Sequence, residues 1–162
     1  MDTLLVGSEV PRVDGLAKVT GKAVYGDDII MNNMLYGVCR YVDIPAGRID
    51  ALDLSQAEKV PGVVRIATWN DIPGQRKLGA IVPDHPPIID KEIAYRGDVV
   101  AVVAAETYEA ACIAVDKIKI TYTPWEPITP PEEAMKPGAR LIHSELDSNI
   151  INRHHTAKGD VD

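Results

Sequence analysis

The chain has 162 residues, 46% hydrophobic and 25% charged, with a net charge of −7 and no Phe. This is ordinary globular composition, which excludes disorder throughout and demands a core of Val, Ile, Leu and Ala. The acidic balance lacks the basic face of a nucleic-acid binder, residues 1–10 lack the pattern of a signal peptide, and no stretch reaches the length of a membrane span.

Residues 12–28 (RVDGLAKVTGKAVYGDD) hold too much Gly and charge for a buried strand and too little periodicity for a long helix. Such a segment is expected to keep its shape through what it docks against. Residues 34–42 and 48–54 read as strands separated by a Pro45–Gly47 turn. Ser55 and Glu58 have capping-box spacing, which predicts a short helix ended by Pro61 and Gly62. Residues 63–68 form the next strand, closed by turn residues 69–74. Gly and Pro make residues 75–89 a long irregular loop, of the kind used as a lid or an interface. A short strand is expected at 92–95. The apolar run 98–105 predicts a central, covered strand.

Residues 107–116 are the clearest helix, capped by Thr107, with an apolar stripe of Tyr108, Ala111, Cys112 and Val115. Residues 117–123 alternate as a strand, with Ile118, Ile120 and Tyr122 inward. This strand–helix–strand unit is the expected core. Pro131 can begin a single helical turn through Ala134. From Gly138 onward an extended tail is expected, without a docking signal at its end, so the natural sequence is expected to continue past Asp162.

The chemistry-bearing residues do not assemble into a site. Cys39 and Cys112 are isolated thiols without metal-ligand spacing; reduced cysteines in a cytoplasmic protein are expected. Arg96-Gly97-Asp98 reads as a turn into a strand, not an adhesion motif. His154 and His155, as neighbours in an extended segment, point to opposite sides and read as surface residues. Lys18 and Lys22 lie near glycines that form no phosphate loop, so solvated side chains are expected. Glu132 and Glu133 sit in an exposed turn unsuited to acid–base work. His85 is an isolated loop residue. Trp69 and Trp125 are expected to pack the ends of strands. No catalytic, cofactor-binding or metal-binding residue is assigned.

Several stretches resemble one family in the same order. Residues 12–28 are similar to the pattern Arg-x-Asp-Gly-x-x-Lys-Val-Thr-Gly-x-Ala-x-Tyr-x-x-Asp, which opens the molybdenum-binding part of the xanthine dehydrogenase and aldehyde oxidase enzymes. LYGV (35–38), AGRIDALD (46–53), VPGV (60–63), DIPG (71–74), YRGDVVAV (95–102), the AAET…IKITY run (104–122), SNI (148–150) and the stretch from His154 to Asp160 continue the likeness. The sequence departs from the family at residues 42–48, where Ser-Pro-x-Ala-His-Ala-Arg is common, and at Asp98, where Gln is frequent. The resemblance implies an α+β fold, the α/β hammerhead, with a mixed sheet, two helices and a long irregular loop. It implies residues 1–33 as an opening segment docking on the domain, 34–125 as the hammerhead core, and 126–162 as a proline-rich connector to a cofactor-binding domain.

By the same likeness the chain is part of the molybdenum-binding subunit of a hydroxylase and inactive by itself. The complete enzyme would hydroxylate a heteroaromatic or aldehyde carbon with molybdopterin-bound molybdenum, [2Fe–2S] clusters and FAD. Its partners would be the molybdopterin-binding domains of the same subunit and the iron–sulfur and flavin parts, with no nucleic acid and no membrane. The family's cofactor-contacting segments and catalytic Glu fall outside these 162 residues. Two rival readings are a stand-alone interaction module and a small carrier domain with Lys91 as the modified lysine.

Overall fold

The computed structural model describes residues 7–80 and 82–160. The chain divides into two compact units, Met1–Met34 and Leu35–Asp162. Within the first, α1 (Gly15–Val19) is one turn and a half, and a 3-10 turn spans Gly26–Asp28. Its polar groups close on one another. Asp14 receives Arg12 Nε at 2.5 Å and Lys18 Nζ at 2.6 Å, and the Tyr25 amide donates to Asp28 Oδ2 at 2.9 Å.

The second unit holds β1 (Tyr36–Tyr41), β2 (Gly47–Asp53), β3 (Val63–Ala67), β4 (Glu92–Ile93), β5 (Val99–Ala105), α2 (Tyr108–Lys117), β6 (Lys119–Pro124) and α3 (Pro131–Ala134). The α+β hammerhead class expected from the sequence is borne out. The strands form two three-stranded sheets, ordered β1-β5-β3 and β4-β2-β6, and every pairing is antiparallel. The crossover through α2 carries the chain from one sheet to the other. β5 and β6 therefore never pair, and the expected strand–helix–strand core joins two sheets instead of lying in one.

β5 is central, as its apolar run predicts, and Ala101, Val103 and Ala105 are fully buried. Thr107 caps α2 by accepting from the Ala110 amide at 3.1 Å. The buried side of α2 is Ala110, Ala111 and Ala114, with Ile118 following. This corrects the predicted stripe, since Tyr108 is exposed. Alanines on both helix and sheet let the two backbones approach closely, and bulky side chains turn outward. In β6, Ile120 and Tyr122 are half-buried while Lys119 and Thr121 are exposed, as the alternation requires.

The helix expected at Ser55 is absent; residues 55–59 form turns. Six residues between Leu54 and Pro61 are too few to offset helix nucleation. Asp53, not Ser55, does the capping, by accepting the Ser55 amide at 2.9 Å. A capping box forms instead at Thr68 and Asp71, around the 3-10 turn Trp69–Asp71. Gly47 starts β2 where a side chain has no room: a Cβ there would lie 2.7 Å from the Thr123 carbonyl oxygen and 2.7 Å from Ile44 Cδ1. The two sheets are tied at one end by Arg40 of β1. It pairs in two-pronged fashion with Asp43, at 2.7 and 3.2 Å, and the Asp43 amide donates to Tyr122 Oη of β6 at 3.3 Å.

Candidate functional site

A cleft of about 650 Å³ opens between the loop that follows β3, strand β4, the turn before β5 and residues 142–145. Each wall has a local cause. Leu78 and His85 exchange both backbone hydrogen bonds, at 2.8 and 3.0 Å, so the irregular loop doubles back on itself. Ile88 and Ile89 are buried, and the Ile89 amide donates to the Val99 carbonyl at 2.8 Å, which anchors the end of the loop beside β5. Asp98 shapes the turn. It is 3% exposed, and its Oδ2 accepts the amides of Ala94 at 2.7 Å and Tyr95 at 3.2 Å.

The fourth wall corrects the expected free tail. Residues 139–143 are half-buried. Asn149 clasps them: Oδ1 accepts the Ile142 amide at 2.8 Å, and Nδ2 donates to the carbonyls of Ala134 at 2.9 Å and Arg140 at 3.0 Å. Thus α3, formed where Pro131 predicts it, and the following chain are pinned together. Ser144 Oγ donates to Glu92 Oε2 at 2.8 Å, Lys77 Nζ pairs with Glu145, and His143 Nε2 lies 3.9 Å from Asp84 Oδ2. These links stitch the loop and β4 to the connector.

One charge pair of the cleft, Lys77 with Glu145, is closed on itself. Lys77, Glu92, Glu145 and Asp84 have partners within the walls, and no hydroxyl or thiol there meets a histidine base. Among the described residues no three His, Cys, Asp or Glu side chains converge as a metal site. Cys39, on β1, and Cys112, on α2, are free thiols. A [2Fe–2S] cluster needs four protein ligands. The residues present do not fit the metal and cluster groups implied by the resemblance, so no catalytic step follows from them.

The other sequence candidates scatter. Asp98 of the Arg-Gly-Asp triplet is buried and bonded, so its carboxylate is not available to an adhesion partner. Lys18 is held by Asp14. Glu133 pairs with Lys136 at 2.6 Å, and Glu132 is exposed. His154 contacts Thr156 at 3.0 Å, and both His154 and His155 are exposed. His85 is exposed on the cleft rim. Lys91 precedes β4, where its carbonyl accepts the Ile49 amide at 2.8 Å, not at a hairpin tip as a carrier lysine requires. Trp69 and Trp125 are half-buried, not core residues, and carry Arg76 and Arg140 over their rings at 5.2 and 5.0 Å. Sequence reasoning missed the role of Asn149, whose three hydrogen bonds reach back as far as fifteen residues and follow no local pattern.

The family model described as "Aldehyde oxidase and xanthine dehydrogenase, a/b hammerhead domain" matches residues 20–126. A relative from Bacillus subtilis, described as part of a probable xanthine dehydrogenase, is 37% identical over 93% of this chain and 20% of its own. A nicotinate dehydrogenase large molybdopterin subunit of Eubacterium barkeri is 36% identical over 99% of this chain and 37% of its own. The solved aldehyde oxidoreductase of Desulfovibrio desulfuricans superposes with a TM-score of 0.78 at 30% identity, over 86% of this chain and 17% of that one. The chain thus spans 17–37% of the length of these three proteins.

Proposed function

Because the chain belongs to the a/b hammerhead domain family of aldehyde oxidases and xanthine dehydrogenases, we propose that it serves as a bracing domain within a molybdenum hydroxylase. The parent protein is proposed to hydroxylate a heteroaromatic or aldehyde carbon, with molybdenum cofactor, [2Fe–2S] and FAD carried outside residues 1–162. The observation that carries this reading is the family match over residues 20–126, joined to identity of 36–37% across 93–99% of the chain with a probable xanthine dehydrogenase subunit and a nicotinate dehydrogenase large molybdopterin subunit. A stand-alone interaction module is disfavoured, since each of these relatives holds the matched stretch as 20–37% of a longer chain.

The proposed partners are the cofactor-binding domains of the same subunit and the iron–sulfur and flavin parts. Residues 126–162 are then the connector to those domains, with the Asn149 clasp holding residues 134–142 of it in place. The exposed rim of the 75–89 loop, Pro83, His85 and Pro87, is the proposed contact with a neighbouring domain. The cytoplasm is the proposed location; among the described residues no helix is long and apolar enough to cross a membrane.

The test is to express the complete reading frame beside residues 1–162. Molybdenum per protein and substrate-dependent dye reduction are then measured with a purine, an aldehyde and a pyridine carboxylate. The complete protein should carry near-stoichiometric molybdenum and reduce dye with at least one substrate class, and the 162-residue chain should do neither. A folded complete protein without molybdenum, or stoichiometric molybdenum on the short chain, would overturn the proposal.

A further inference from the structure

The floor of the cleft holds one acceptor that the chain leaves open. Asp98 is 3% exposed, and its Oδ2 takes the amides of Ala94 and Tyr95. Oδ1 receives no hydrogen bond from the described residues, yet it is not sealed off: among them Arg40 Nε is the single buried side-chain atom without a partner. Asp98 borders the cleft, so this recessed oxygen opens there, out of reach of a broad receptor surface but not of one side chain. A carboxylate has about four acceptor sites, and a buried one with half of them unmet is stabilised by a donor, most of all a charged one.

The surroundings favour a cation. Five carboxylates, Asp98 among them, line the cleft against two lysines, a net charge of −3 with the histidines neutral. Lys77 is held by Glu145, which leaves only the exposed Lys91 to offset the rest. Tyr95 sets a ring beside the carboxylate. Its half-exposed side chain lies against the backbone of Gly97, where a Cβ would strike ring carbons Cδ2 and Cε2. Gly97 thereby lets the ring lie across the turn that Asp98 staples. An aromatic face attracts a flat, weakly hydrated cation. A guanidinium meets both demands, since its plane can cover the ring while an N–H donates to Oδ1.

We propose that the floor of the cleft is a binding seat for a guanidinium group, with Asp98 Oδ1 as its acceptor and the Tyr95 ring as its flat support. The seat is built from residues 69–145 of this chain alone, so it stands apart from the hydroxylase reading. The guanidinium belongs either to a small free molecule or to an arginine side chain in an adjoining part of the parent protein, and the chemistry of the seat is the same for both.

The test titrates N-acetyl-arginine methylamide into the 162-residue chain and follows amide chemical shifts, with N-acetyl-citrulline methylamide as the neutral isostere. Saturable shifts at Ala94, Tyr95 and Asp98 are expected, half-complete at about 1 mM, the strength that a probe of this size reaches through a few contacts. The citrulline probe should bind about tenfold or more weakly, the difference between charged and neutral hydrogen bonds. Asp98→Asn, which keeps an acceptor for Ala94 and Tyr95, should weaken the arginine probe by a similar factor. Both probes act on the wild-type chain, so their comparison holds even where Asp98→Asn fails to fold. No saturable shift, equal binding of the two probes, or shifts spread evenly over acidic residues outside the cleft would overturn the proposal. The complete protein separates the two sources. Probe binding of the same strength there gives the seat to a free molecule. A seat closed to the probe and filled by an arginine in the crystal structure gives it to the protein's own side chain, and a closed seat without a guanidinium in it overturns the proposal.

Discussion

Asp98 offers the sharpest check on how the cleft is built. Its carboxylate is buried and accepts two backbone amides, Ala94 at 2.7 Å and Tyr95 at 3.2 Å. Asp98→Ala removes both acceptors at once. A hydrogen bond to a charged group contributes about 1.5–3 kcal/mol, and a buried donor left unpaired costs a similar amount. The Ala94 amide, short and half-buried, should carry the full effect; Tyr95 is exposed and its longer bond is readily replaced by water. The sum is about 2–4 kcal/mol, which for a domain of this size lowers the melting temperature by about 5–15 °C. Asp98→Asn keeps an acceptor oxygen in place and should cost about 1–2 kcal/mol. Urea unfolding followed by circular dichroism gives both values, and amide exchange at residues 94–97 shows whether the turn itself has opened. An Ala variant within about 0.5 kcal/mol of wild type would refute the reasoning, because it would mean that the turn holds without its carboxylate.

Other consequences can be measured on the same chain. Gly47→Ala places a Cβ against the Thr123 carbonyl and Ile44, so β2 and β6 must separate; a loss of about 2–4 kcal/mol in urea unfolding is expected. The Arg40 guanidinium beside Asp43 holds that carboxyl below its ordinary range. A depressed folded-state pKa contributes stability above the unfolded value of about 3.9 and loses it as pH falls through the folded value. Asp43→Asn should therefore narrow the difference between urea midpoints at pH 7 and about pH 3, by a small amount because Asp43 is mostly exposed. Asn149→Ala breaks three hydrogen bonds of the connector and should raise amide exchange at Ile142 and trypsin cleavage after Arg140. The unfolding midpoint of the two sheets should stay nearly unchanged, since the clasp touches neither; a shift as large as that of Asp98→Ala would mean the connector is part of the core.

Much of the architecture was legible in local pattern. The apolar run of β5, the alternation of β6, the Thr107 cap and Pro131 at the start of α3 each rest on interactions within a few residues, and each formed as expected. The same local rules failed at Ser55, where the capping box was present but the room before Pro61 was not. They also failed on α2, where helical spacing identified an apolar stripe but the alanines facing β5 determined which side was buried.

The candidate site was less legible because its parts come from distant stretches. Asp98 looked like a residue entering a strand, yet its carboxylate is the staple of the preceding turn. Asn149 looked like one residue of a tail, yet it fastens α3 and residues 140–142 into the fourth wall of the cleft. Lys77 meets Glu145, and Ser144 meets Glu92, across separations of 68 and 52 residues, which no periodicity encodes. The sequence by itself determined the family, through the ordered run of short patterns, and most strands and helices, through periodicity and capping. Only the tertiary structure decided that the strands divide between two sheets and that the connector folds back. Local propensity acts over a few residues, while these outcomes depend on which surfaces find one another in space.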